Sequence, residues 1–399
     1  MPGTRLSITL CLCSLAASGG AAEFEIPLAS ADVEYMLPAP DGEYAVGVRG
    51  FSWIDASRLE TASPGASGHR EVTVQIWYPA EPNSDATRAL YFPELDQMLA
   101  AADELPEDEA RYVRLHAVLG GKATNSVPGS ALAESADPWP IILFSPGGNV
   151  SRHAQTALAE RLASNGFVFV SMSHPYSTID VAPATGFSMS IDWGLEQDDP
   201  VAARAADDRL ADLLAGDARF VLQQLRTLNG SDESFKGVLD FQRVGIAGHS
   251  RGGTTVGRAC AGIREITACA VLDNIGPDRE QQTGVNQSLL ALRAPWDEQR
   301  VADLHAYLER SGGDVYDIEI AGSNHFSCTD LPLFIEDVRA DGLEPLAGID
   351  TCADVLAGFF GYHLWEWDPL GRYDMYNVPN IEIVFTQSRI KVDAARSDQ

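Results

Sequence analysis

Along this chain, apolar runs of strand length alternate with longer stretches of helical spacing. The strand-length runs fall at 72–78, 141–144, 167–172, 243–247, 268–272, 288–292 and 315–320. Several show no apolar–polar alternation, as strands buried on both faces do not. Between them, 155–164, 202–228, 254–263 and 301–310 carry the helical pattern. This order predicts an α/β fold with a mostly parallel central sheet and helices on both faces. Asn165-Gly166 stops the first of these helices and hands the chain directly to a strand. Two stretches fit no simple crossover and are predicted insertions: 81–138, rich in acids and alanine, and 177–200. In such a sheet ligands gather outside the carboxyl ends of the strands, so the loops there are where chemistry is sought.

One of those loops stands apart. Val244-Gly245-Ile246-Ala247 runs into Gly248-His249-Ser250-Arg251-Gly252-Gly253 and then into a helical stretch. This is G-x-S-x-G in the strand, turn and helix context that gives the motif meaning. A serine pushed out of a sheet on so sharp a turn needs neighbours without a Cβ, and Gly248 and Gly252 supply them. A serine hydroxyl is a weak nucleophile until a base takes its proton and an acid orients that base. His325, in Gly322-Ser323-Asn324-His325-Phe326 after the last strand, is the expected base. His363 competes but lies among Val355, Leu356, Phe359 and Phe360, which read as a packed terminal helix. His153, His174 and His249 are candidates to line the cleft. Two aspartates end strands between the serine and the base, Asp273 and Asp297, and pattern alone leaves them tied. Acyl transfer also needs donors for an oxyanion, expected from the backbone N–H of Arg251 and from the loop Phe144-Ser145-Pro146-Gly147-Gly148-Asn149, at Gly148. That loop lacks the lysine of a phosphate-binding loop.

These residues resemble a family, the secreted platelet-activating factor acetylhydrolases and their bacterial relatives in the α/β-hydrolase superfamily. The similarity runs through Gly42-Glu43-Tyr44-Ala45-Val46-Gly47, Val74-Gln75-Ile76-Trp77-Tyr78-Pro79, Leu143 to Gly148, the Ser250 motif, Val271-Leu272-Asp273 and Gly322 to His325. It implies the α/β-hydrolase fold, with Ser250, Asp273 and His325 as nucleophile, acid and base, no cofactor, and no metal. The implied substrate is a small-molecule or lipid ester with a short acyl group, a lipid one entailing transient contact with a lipid surface. Pro146, Gly148 and Arg251 depart from the family, the last replacing an aromatic, and Gly148 implies a roomier oxyanion loop. A more distant similarity to cutinase-like polyester hydrolases rests on Cys328 shortly after the base, and would favour Asp297 as acid.

The ends of the chain bear on compartment. Arg5, an apolar run over 6–17 and small residues 18–22 read as a secretory signal cleaved after Ala22, which predicts a secreted or periplasmic protein. The run is too short for a membrane anchor, and Leu12 is a poor neighbour for lipid attachment at Cys13. The expected domain then spans 23–387, with 388–399 a flexible tail. Of the remaining cysteines, sequence neighbours are the cheapest to join: Cys260 with Cys269 and Cys328 with Cys352. The formal charge of -29 repels phosphate backbones and anionic membranes, which excludes nucleic acid as a partner. Three function classes stay open: an ester hydrolase, a peptidase or amidase on the same fold, and a silent binding module. An intact Ser, Asp and His set argues against the last.

Overall fold

The structure is a computed structural model and describes residues 21–24, 26, 37–62, 68–83, 85–117, 121–195, 197–365 and 375–387. The expected signal, save Ala21 and Ala22, and the expected tail lie outside them. In spatial order the main sheet runs Ala21–Phe24, Ala45–Leu59, His69–Ala80, Val168–Met172, Trp139–Ser145, Leu239–His249, Ile266–Leu272, Ser288–Arg293, Val315–Ile320 and Ile381–Gln387. From Val168–Met172 to Val315–Ile320 every pairing is parallel. Both flanks are antiparallel.

The parallel centre explains the missing alternation. In Trp139–Ser145, Ile141 and Leu143 pack on one side with Val72, Val74, Ile76, Val168 and Val170, beneath the helices Pro200–Ser231 and Gly252–Gly262. Ile142 and Phe144 point the other way, with Trp77 and Phe169, beneath Thr156–Ser164 and Pro345–Trp365. Successive side chains alternate between two covered faces, so both sets are apolar. Pro200–Ser231 begins earlier than its apolar pattern does, because the Asp199 side chain caps it by accepting from Val201 N at 3.0 Å, with Pro200 in the first turn.

Two long strands escape the apolar-run criterion. Ala45–Leu59 carries Gly47 and Gly50, where a Cβ would run into the Tyr78 and Phe24 rings, so packing there is supplied by the partner's side chain. Ile381–Gln387 lies on an edge with most of its residues exposed. The stretch 81–138 holds two helices, Leu95–Ala102 and Glu107–Ala117, and is moored by Tyr91, whose hydroxyl donates to Asp330 at 2.8 Å, and by Ser126, which donates to Glu160 at 2.5 Å. The stretch 177–200 folds back as a hairpin of Asp180–Ala182 with Gly186–Ser188.

Both neighbour pairings of cysteine form, Cys260 with Cys269 at a Cα–Cα distance of 6.5 Å and Cys328 with Cys352 at 5.7 Å. The second ties the loop carrying His325 to the helix Pro345–Trp365 across a sequence separation of 24. Replacing Cys328 and Cys352 together by serine is expected to lower unfolding stability by about 3 kcal/mol, since a loop of this length is closed in the unfolded chain only while the bridge exists. A urea melt of the two proteins reads this; equal midpoints would refute it.

Candidate active site

Ser250 stands between the strand Leu239–His249 and the helix Gly252–Gly262 with φ +53°. A non-glycine residue there is strained and persists only when its surroundings over-determine it. They do so here. A Cβ on Gly248 would strike the Gly252 carbonyl, and one on Gly252 would strike the Ser145 carbonyl. Ser250 N donates to Leu272 O at 2.9 Å, and Gly253 N donates to Ser250 O at 2.8 Å.

His325 reaches Ser250 from the loop after Val315–Ile320, with Nε2 2.9 Å from the serine Oγ. That loop is held by Asn324, whose amide donates to Val338 O at 3.1 Å and accepts from Phe326 N at 3.0 Å. On its other side, His325 Nδ1 lies 2.5 Å from Asp273 Oδ2. An ionised carboxylate only accepts, so Nδ1 carries the proton and the Nε2 lone pair faces the serine hydroxyl. Asp273 follows the strand Ile266–Leu272 at φ +50°, anchored by its N–H to Leu292 O at 2.8 Å. Its Oδ1 accepts from Ala294 N at 3.1 Å and from Trp296 Nε1 at 2.7 Å. Burial opposes the charge on Asp273, but the hydrogen bond and charge of His325, with the Ala294 and Trp296 donors, prevail and hold its pKa down at about 2.

The structure therefore brings Ser250, His325 and Asp273 into one line at the carboxyl ends of the sheet and leaves Asp297 out of it. Asp297 is exposed and caps the helix Glu298–Arg310, accepting from Arg300 N at 2.9 Å. The loop it belongs to serves the site in another way, because Ala294 and Trp296 hold the carboxylate of Asp273. Nothing in the sequence marked Trp296 for this beyond its closeness to a strand end.

The remaining histidines separate by contact. His249 is buried, and its Nε2 donates to the backbone O of His325 at 2.6 Å. Burial, joined by the neighbouring His325, lowers its pKa to about 4, so it stays a neutral brace for the base loop. His363 meets the Tyr316 hydroxyl at 3.2 Å on the helix Pro345–Trp365, and burial pushes its pKa down to about 4. His153 and His174 are buried in the core rather than lining a cleft.

The loop expected to supply an oxyanion donor lies against the elbow: a Cβ on Gly147 would come within 3.2 Å of Ser250 Cβ. Gly148 does free space, but the Arg251 guanidinium fills it, 2.6 Å from where a Cβ on Gly148 would be. Arg251 Nη1 also donates to Ser190 Oγ at 2.5 Å, and Ser190 N donates to Asn149 Oδ1 at 2.9 Å. Asn149, at φ +53°, donates its own N–H to Ser177 O at 2.9 Å. The expected roomy loop is thus occupied by an arginine and tied to the stretch 177–200.

Among solved structures, a ferulic acid esterase from Streptomyces cinnamoneus superposes with a TM-score of 0.69 at 24% identity, over 88% of this chain and 99% of its own. The chain has the α/β-hydrolase fold. Part of the chain, residues 29–182, matches the family model described as platelet-activating factor acetylhydrolase, isoform II. The platelet-activating factor acetylhydrolase of Gallus gallus is 23% identical over 89% of this chain and 92% of its own length. A probable 1-alkyl-2-acetylglycerophosphocholine esterase from Arthroderma benhamiae is 32% identical, over 31% of this chain and 30% of its own length. The family match ends before Ser250, so the grouping of Ser250, His325 and Asp273 rests on their geometry.

Proposed function

We propose that this protein is a serine carboxylic ester hydrolase that acts through an acyl-serine, with Ser250 as nucleophile, His325 as base and Asp273 as the acid that orients it. The observation that carries the reading is the continuous line from Ser250 Oγ through His325 to Asp273, at 2.9 and 2.5 Å. Ser250 Oγ attacks the ester carbonyl as His325 Nε2 takes its proton, and the carbonyl oxygen becomes an oxyanion received by the backbone N–H groups of Arg251 and Gly148. His325 returns the proton to the departing alkoxide, leaving acyl-serine and free alcohol. Water, deprotonated by the same base, then releases the acid and restores the serine.

Short-acyl esters are the proposed substrates, among them phospholipids like platelet-activating factor. Support comes from the activities that the similar proteins are named for and from the arginine that fills the space beside Gly148. On a series of p-nitrophenyl esters, kcat/KM is expected to be highest for acetyl and to fall by about tenfold or more toward octanoyl, because a long acyl chain has to bend around the Arg251 side chain beside Gly148. A steady rise toward long chains would replace this reading with a lipase. The polyester-hydrolase alternative, with Asp297 as acid, has no such line of contacts behind it. Export to the periplasm or medium is proposed from residues 1–22 and is compatible with two disulfides. The direct test is labelling with a fluorophosphonate probe: Ser250 is expected to take the label, and labelling elsewhere or none would overturn the proposal.

A further inference from the structure

Beneath the candidate site lies a second Ser, His and Asp set that the proposed reaction does not use. Ser145 Oγ is 2.8 Å from His174 Nε2, and His174 Nδ1 is 2.9 Å from Asp217 Oδ2. Ser145 Oγ is also 2.9 Å from Thr255 Oγ1. Asp217 is gripped by Arg70, Nε to Oδ1 at 2.7 Å and Nη2 to Oδ2 at 2.6 Å, and by Arg58 Nη1 at 2.9 Å. Ser145, His174, Asp217, Thr255 and Arg70 all have 0% exposure. No substrate reaches Ser145, so this set is not a second nucleophile.

Its members come from five elements. Ser145 ends the strand Trp139–Ser145, His174 follows Val168–Met172, Arg70 lies on His69–Ala80, Asp217 on Pro200–Ser231 and Thr255 on Gly252–Gly262. The proton order is fixed from the charged end. Asp217, ionised between the arginines, accepts from His174 Nδ1–H, so the bare Nε2 accepts the Ser145 hydroxyl proton, and the Thr255 hydroxyl donates to Ser145. A line with one direction throughout thus passes through Ser145, the residue from which the Pro146-Gly147-Gly148 loop departs. The Ser145 carbonyl is packed on the Cα of Gly252, in the turn after Ser250.

We infer that the buried line Arg70, Asp217, His174, Ser145 and Thr255 is a positioning device that sets the angle at which the loop bearing the Gly148 amide leaves the sheet, and through it the oxyanion donor. The inference rests on the esterase reading above. These are positioning residues, since none touches substrate, and donors in such a hole act only when held to about 0.5 Å of the productive place. Ground-state ester binding needs no such alignment, so the effect falls on kcat.

Asp217→Asn would leave Arg70 buried without its carboxylate, so Ser145→Ala and Thr255→Val are the test variants. Each is assayed with p-nitrophenyl acetate and with a trifluoromethyl ketone, whose hemiketal anion requires the oxyanion donors. Removing one such donor outright costs about 10² to 10³-fold, so misplacing it is expected to lower kcat by roughly 10 to 100-fold with KM changed by less than about threefold. The ketone's Ki is expected to rise by the same factor, and Thr255→Ser, which keeps the hydroxyl, to recover most of the loss. Folded variants with wild-type kcat and Ki, or with a raised KM alone, would overturn the inference while leaving the esterase reading standing. A wild-type protein that neither hydrolyses the ester nor takes a fluorophosphonate would overturn both.

Discussion

Ser250→Ala is expected to abolish hydrolysis of p-nitrophenyl acetate while leaving the fold intact. The loss in kcat should reach about 10³ to 10⁶-fold, because the residual rate is what the oxyanion donors and substrate binding supply without a nucleophile. The fold survives because the elbow is held by backbone bonds that the substitution keeps: Ser250 N to Leu272 O at 2.9 Å and Gly253 N to Ser250 O at 2.8 Å. Alanine also adopts φ +53° at no greater cost than serine. The variant should lose fluorophosphonate labelling, melt within a few degrees of the wild type and leave the His325 to Asp273 contact in place. Near-full activity in a variant that melts normally would remove Ser250 from the mechanism and leave the elbow as a structural turn.

What could be read in advance follows from which signals are local. The central strands are buried on both faces, so residues such as Ile141 to Phe144 form unbroken apolar runs that need no partner to be recognised. Ala45–Leu59 was hidden because its core contribution is made by Tyr78 and Phe24 reaching over Gly47 and Gly50 from other strands. Ser250 and His325 were legible from motif and chain order. The acid was legible only through the family resemblance, which pointed to Asp273; pattern left it open, because both aspartates follow strands and the difference is one of distance along the chain. Asp273 comes directly after Leu272, at the strand end next to Ser250, whereas Asp297 comes after the further turn of Ala294, Pro295 and Trp296 and is carried outward to cap a helix. The buried line under the site left no trace, for Ser145 and His174 are 29 positions apart and His174 and Asp217 are 43. Such contacts exist only after the sheet has brought distant strand ends together.

The contrast between the two aspartates gives the second large effect. Asp273→Asn is expected to lower kcat by about 10³ to 10⁴-fold, through the tautomer of His325. Ala294 N and Trp296 Nε1 both donate to Oδ1, so the amide oxygen of an introduced asparagine is drawn to that side. Its NH₂ then faces His325 Nδ1, which must become an acceptor, and the proton moves to Nε2, where it blocks transfer from Ser250. Asp297→Asn, by contrast, keeps a good cap for Glu298–Arg310 and should leave kcat within about twofold. Acid titration adds an independent check. The pKa of Asp273 lies at about 2, below its ordinary value of 3.8, so its stabilising charge is fully present above about pH 4 and is lost as the pH falls through 2. The charge contributes on the order of 2 kcal/mol at neutral pH. The stability gap between wild type and Asp273→Asn should therefore close as the pH is lowered from 5 toward 2. If instead Asp297→Asn were the inactive variant and Asp273→Asn the active one, the orienting acid would sit after the later strand, and the relation to polyester hydrolases would be the closer one.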